Sequence, residues 1–286
     1  MIARSFHAAV LLTLASSASA ADDAAALLAK SVEAFRNNAP KAKNWNWQTV
    51  ESRELVDRSG KTVQRFPAVT SESILRSDGR RCNAVASWGD GRKPYLADAD
   101  PDERCQAMTG IEPPFPPLGV LLSVRGKVLD MTAGVITVAV EPDKSRLRDP
   151  NFELRCGASI RATVRLDATT FFPLRMEGEV VESGCDSTFT AVNHYESMTR
   201  APMTASFRKG SSFSVEWRLE KDKTGDPGRN YWIAAAQHYS QPWNNDNRVI
   251  YYWGRQIPVL HEGHRLIKDL KTTAQEFVVG SELVFK

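Results

Sequence analysis

From residue 22 to about residue 38 apolar side chains return every three or four positions, with Leu28, Val32 and Phe35 at i, i+4 and i+7. That is the period of a helix buried along one stripe. Asp22 and Asp23 offer a cap at its start and Pro40 follows its end, so a helix is predicted from Asp22 to about Asn38. Beyond it the period falls to two. Trp45, Trp47 and Thr49 alternate with Asn46, Gln48 and Val50, and Ile160, Ala162, Val164 and Leu166 alternate with Ser159, Arg161, Thr163 and Arg165. Phe213, Val215, Trp217 and Leu219 alternate with Ser214, Glu216, Arg218 and Glu220. These are half-buried strands of an antiparallel sheet. A further strand pair is read at about Tyr231 to Tyr239 and Val249 to Trp253, around the polar loop Ser240 to Asn247.

Turn dipeptides separate the apolar runs at hairpin-like intervals: Ser59-Gly60, Asp78-Gly79, Asp90-Gly91, Ala133-Gly134, Ser183-Gly184 and Lys209-Gly210. Short connections imply up-and-down pairing. The rhythm breaks once, from Ile111 to Leu118, where Pro113, Pro114, Pro116 and Pro117 exclude a helix interior or a central strand,. This segment is read as a stiff connector crossing the mouth of a sheet, with a sub-boundary near 111–118 as the alternative, because the strands before it are too few to close their own core.

The first 20 residues have the three parts of an export signal: a positive end at Met1 and Arg4, an apolar stretch from Ala8 to Leu14, and small residues ending in Ala18-Ser19-Ala20,. Cleavage after Ala20 is expected. The apolar stretch is too short to span a bilayer, and no later segment reaches the required length of about 20 residues. The mature chain from Ala21 is therefore expected to be a soluble periplasmic or secreted protein, a single antiparallel β domain with an N-terminal helix. The whole sequence carries 37 Lys and Arg against 34 Asp and Glu, a formal net charge of +3. Losing Arg4 with the signal brings it nearer neutrality, and the signs are interleaved, so neither nucleic acid nor an anionic membrane surface is an expected partner.

All four cysteines, Cys82, Cys105, Cys156 and Cys185, lie in the exported part, where an even count points to two disulfides. Three connectivities are open. Cys82 to Cys105 with Cys156 to Cys185 is favoured, because each closes a loop of roughly 20 to 30 residues between neighbouring strands, worth about 3 kcal/mol on the loop-entropy model. A tetrathiolate zinc site would need paired Cys-x2-4-Cys spacing.

Candidate chemistry is sparse. His261-Glu262-Gly263-His264 has its histidines at i and i+3 with a glycine between, whereas a zinc-protease helix needs them at i and i+4. Asp98-x-Asp100-x-Asp102 starts like a calcium loop but has Glu103 where the turn glycine belongs and Thr109 where the bidentate glutamate belongs,. His194 and His238 lie in strands beside tyrosines, and Glu177 and Glu179 share one strand face,. There is no Gly-x-Ser-x-Gly elbow, no phosphate loop and, with the cysteines paired, no free thiol. No metal or cofactor is expected, and the chain is read as a non-enzyme.

The aromatic residues Trp45, Trp47, Trp217, Trp232, Tyr239, Trp243, Tyr251 and Trp253 gather in the first strand and the late hairpins. They fit an ordinary core or a concave face that takes an apolar ligand. Residues 135–197, VITVAVEPDKSRLRDPNFELRCGASIRATVRLDATTFFPLRMEGEVVESGCDSTFTAVNHYES, run as a strand ending Glu-Pro-Asp-Lys, a loop, a strand ending Arg165-Leu166-Asp167, a turn with Thr170, and Pro173-Leu174-Arg175-Met176 opening the next strand. This resembles the central strands of the periplasmic lipoprotein-sorting carriers, the LolA/LolB-like superfamily, and the leading helix before a Trp-rich first strand is similar too. The resemblance implies an incomplete antiparallel β-barrel (a half-barrel) closed by a helical lid over an apolar cavity.

The leading expectation is thus an exported carrier or sensor for a lipid or acyl chain, that of a lipoprotein included, lined by Trp45, Trp47, Ile160, Val164, Leu174 and Met176. The alternative is a non-catalytic envelope interaction or scaffold protein with a fully packed sheet that meets its partner through Trp243. An unrecognised hydrolase is the third reading.

Overall fold

In a computed structural model, described here for residues 23–75, 81–91, 100, 118–123, 125–193, 199–242 and 263–276, the leading helix α1 occupies residues 23–38. The strands that follow are β1 (Trp45–Val56), β2 (Thr62–Leu75), β3 (Arg81–Trp88), β4 (Arg125–Thr132), β5 (Val135–Glu141), β6 (Ile160–Asp167) and β7 (Pro173–Val180). After them come β8 (Cys185–Asn193), β9 (Thr199–Phe207), β10 (Ser212–Glu220), β11 (Tyr231–Pro242) and β12 (Arg265–Glu276). Every neighbouring pair with a described register is antiparallel. The chain is mainly β, and its sheets stay open: among the described residues, β3 and β4 each have a strand neighbour on one side only.

The chain packs as two compact units that interleave in sequence. The first takes Met1–Asn37 and Pro116–Cys185. Its four strands lie in the order β7-β6-β5-β4. The alternation along β6 is realised, since Ile160, Val164 and Leu166 are fully buried and Ala162 nearly so, while Arg161 and Arg165 are exposed. On α1 the predicted stripe is buried at Leu28 and Val32, joined by Ala24. The connection between β5 and β6, read from sequence as a loop, contains a short helix, α2 (Phe152–Gly157). The Asn151 side chain starts α2 by accepting from the Leu154 N–H at 3.2 Å, and a helix this short offers no periodic stripe to read.

The last turn of α2 is joined to the first residue of β8 by the Cys156–Cys185 disulfide, whose cysteines lie 29 positions apart. The Cys82 side chain and Cys105 lie outside the described residues, as do the Pro-rich segment up to Pro117, the strand at Val249 to Trp253 and Trp243.

The second unit takes Asn38–Phe115 and Asp186–Lys286. Six of its strands run in the order β3-β2-β1-β12-β11-β10, and β8 pairs with β9 in a sheet of two. β1 and β12 pair without slippage over their whole length, from Trp45 opposite Glu276 to Val56 opposite Arg265. Of the predicted turns, Gly60, Gly91, Gly134 and Gly210 adopt positive φ, as glycine permits without strain. Gly184 does not, and instead packs closely against the Arg155 carbonyl and Ser159. The alternation predicted at 45–50 holds only in part, because Asn46 is as buried as Trp45. Both faces of β1 are covered at that end.

Candidate functional site

In the first unit the inward faces of β5, β6 and β7 form one apolar surface. Cross-strand register sets Val138 opposite Val164 and Val164 opposite Met176, and all three side chains are at 0% exposure. Ile160 is equally buried and faces Val180. Three of the expected lining residues, Ile160, Val164 and Met176, therefore share this surface. Leu174 does not share it cleanly: the register slips between Arg165 and Leu166, so Leu174 is the extra residue of a β-bulge and only half-buried. A bulge resets the two-residue period, which sequence alternation alone could not foresee.

The helix α1 covers this surface. Gly126 on β4 has no side chain because one would fall 3.0 Å from the Ala24 Cβ and 3.1 Å from the Leu28 Cδ1. Ser31 lies on the same stripe as Leu28 and Phe35, is fully buried, and its hydroxyl has no hydrogen-bond partner. Farther along α1, Phe35 meets Phe172 with ring centroids 6.0 Å apart, and the Lys30 ammonium stands 4.7 Å from the centre of the Phe171 ring. Both aromatics come from the β6–β7 turn. Asp167 Oδ1 ties that turn by accepting from the Thr169 and Thr170 N–H groups and the Thr170 hydroxyl, at 3.0, 2.7 and 2.9 Å. Phe171 takes φ +57° there, a left-handed conformation costing a bulky residue roughly 1–2 kcal/mol.

In the second unit Trp45 and Trp47 stand on one face of β1. The Trp45 indole donates to the Arg229 carbonyl at 2.8 Å, and Trp47 stacks on Tyr231 at 6.4 Å between centroids. Following the same face along β1 leads away from apolar chemistry. Next comes Thr49, whose hydroxyl is 2.9 Å from that of Thr272, and then the ion pair of Glu51 with Arg53, whose side chains are only 14% and 15% exposed. Lys268 lies opposite Arg53, and Tyr239 lies opposite Lys268. The Tyr239 hydroxyl donates to Gln237 Oε1 at 2.6 Å. The face ends in Leu55, Leu266 and Phe66. The sequence reading missed this polar girdle, although its signal is legible: Glu51 and Arg53 are in phase with Trp45, Trp47 and Thr49.

His238 Nδ1 lies 2.7 Å from Asp269 Oδ1 on the outward face. Glu177 and Glu179 are exposed and paired with Arg175 and Arg161. Hydrogen bonds from Ser59 hold the Asp57 carboxyl below the ordinary aspartate range, and those from Ser145 do the same for Asp143. Both carboxylates brace turns. Among the described residues no group of three His, Cys, Asp or Glu is placed to hold a metal ion, and no described helix is long and apolar enough to cross a membrane.

No family model and no curated protein matches the sequence. Solved structures do. The chain is similar to a DUF1329 family protein from Desulfovibrio piger, at 10% identity and a TM-score of 0.33, over 90% of this chain and 94% of that one. It is similar to a putative outer membrane lipoprotein-sorting protein domain from Vibrio parahaemolyticus, at 11% identity and a TM-score of 0.31, over 89% and 95%. A LolA superfamily protein from Nitrosomonas europaea matches at 7% identity and a TM-score of 0.32, over 90% and 94%.

Proposed function

We propose that this protein is an exported carrier or sensor that takes a lipid or acyl chain on the apolar surface of β5, β6 and β7, in the place α1 occupies when no ligand is bound. Ile160, Val164 and Met176 supply the floor and Leu174 its edge. The observation that carries this reading is Ser31. A buried hydroxyl without a partner costs about 1–3 kcal/mol, so α1 covers the surface less favourably than an all-apolar occupant would. Each seated methylene contributes about 0.8 kcal/mol, and an acyl chain adds enough of them to offset the burial that Ala24, Leu28 and Val32 give up when α1 leaves.

The test is native mass spectrometry after mild purification, together with titration of an apolar fluorescent probe. Co-purified lipid or saturable probe binding is expected, and Val164→Asp is expected to abolish it. No bound lipid over repeated preparations, with no probe binding, would sink the proposal. One observation favours the packed interaction-protein reading instead: Ile160, Val164 and Met176 are already at 0% exposure. Trp243→Ala separates the two, since a scaffold would lose partner capture while a carrier would keep its probe.

A further inference from the structure

We infer that β4 is a self-association edge, through which two copies of this chain pair antiparallel with Lys127 of each opposite Asp130 of the other. This inference is independent of the carrier reading.

Among the described residues β4 ends its sheet, with a strand neighbour only at β5. Alternate backbone N–H and C=O groups of such a strand point away from the sheet and can accept another strand. β4 also carries the two most exposed large apolar side chains of the described residues, Leu129 at 56% and Met131 at 64%. Natural edges are usually blunted by charge, proline or brevity. Here the edge is eight residues long and has no proline, and its charges, Arg125, Lys127 and Asp130, are of both signs.

The occupant follows from the bulge. Val128 faces Val138 across the β4–β5 ladder, and the next matched residue is Asp130, facing Thr137. Leu129 is thus the extra residue, and the period is reset across it. Lys127 faces Ala139 and Asp130 faces Thr137, two positions apart on β5, so Lys127 and Asp130 share one face of the sheet although three residues separate them. In a two-fold antiparallel pairing, opposite residues must share a face. A regular strand could not oppose residues 127 and 130, whereas this bulged one does.

With the axis between Val128 and Leu129, Lys127 meets Asp130 twice. Met131 comes beside Gly126, whose missing side chain leaves Ala24 of α1 as the adjoining apolar surface. Charge and shape are complementary within the strand itself, which singles out a second copy over an unrelated peptide. Opposite charges directly across a ladder stabilise it, and like charges do the reverse. One pair of eight-residue strands makes a small interface, so a weak, reversible dimer is expected, half-formed on the order of 10–100 μM.

Sedimentation velocity of the exported chain across that range tests this. Asp130→Lys and Lys127→Asp should each raise the dissociation constant at least about tenfold, and the double exchange, which restores opposite charges across the axis, should return it to within about threefold of the original. Both substitutions fall on exposed positions, and unchanged near-ultraviolet circular dichroism checks each fold. A chain that stays monomeric to several hundred micromolar overturns the inference. So does a dimer indifferent to the single exchanges, or one that the double exchange fails to restore.

Discussion

Ser31 brings a hydroxyl into the stripe of α1 that otherwise carries Ala24, Leu28, Val32 and Phe35, and the burial is complete. Serine in a helix interior usually turns to solvent or bonds back to the preceding turn, and this one does neither. Ser31→Ala should therefore stabilise the ligand-free protein by about 1–3 kcal/mol in urea denaturation. On the carrier reading the same change weakens apolar-probe binding by the corresponding factor, roughly 5- to 150-fold, because the cover becomes harder to displace. A variant less stable than the parent would mean that the hydroxyl is satisfied. Phe171 is a second residue whose state is invisible in sequence: its left-handed backbone is imposed by the Asp167 cap and by the docking of its ring under Lys30, not by any preference of phenylalanine.

At the scale of elements, alternation was the dependable signal. β6 and β10 read inward and outward as their residues dictate, because a pleated strand turns successive side chains to opposite faces wherever it pairs. The signal failed at the bulge at Leu174, which arises from mismatched neighbours and leaves no local mark. Turn chemistry was legible as well, and one turn is not optimal. Ala133 and Gly134 join β4 to β5 with φ +50° and +78°, the pattern of a type I′ turn, which favours asparagine at its first position. Ala133→Asn should raise the midpoint of chemical denaturation by the equivalent of about 0.5–1 kcal/mol. Loss of stability would show that the turn is held in another conformation in solution.

For the molecule as a whole, the two compact units interleave in sequence, and the described disulfide lies wholly within the first. Replacing Cys156 and Cys185 by alanine should cost about 3–4 kcal/mol, as the closure of a 29-residue loop implies,. Hydrogen exchange should register that loss in the amides of β5, β6 and β7. Unchanged protection there would mean that the bridge braces α2 alone.

By itself the sequence determined what is local: one amphipathic helix, strands of period two, the glycines of the turns, an even set of cysteines spaced for loop closure, and no motif for metal or nucleophilic chemistry. Tertiary structure alone decided which apolar stripe covers which sheet face, that the face begun by Trp45 and Trp47 passes into the girdle of Glu51, Arg53 and Lys268, that a hydroxyl is shut in at Ser31, and that β4 is left as an edge. Periodicity is written into each segment by the geometry of its own backbone. Neighbours, cover and exposure come from segments distant in sequence, and no window along the chain contains them.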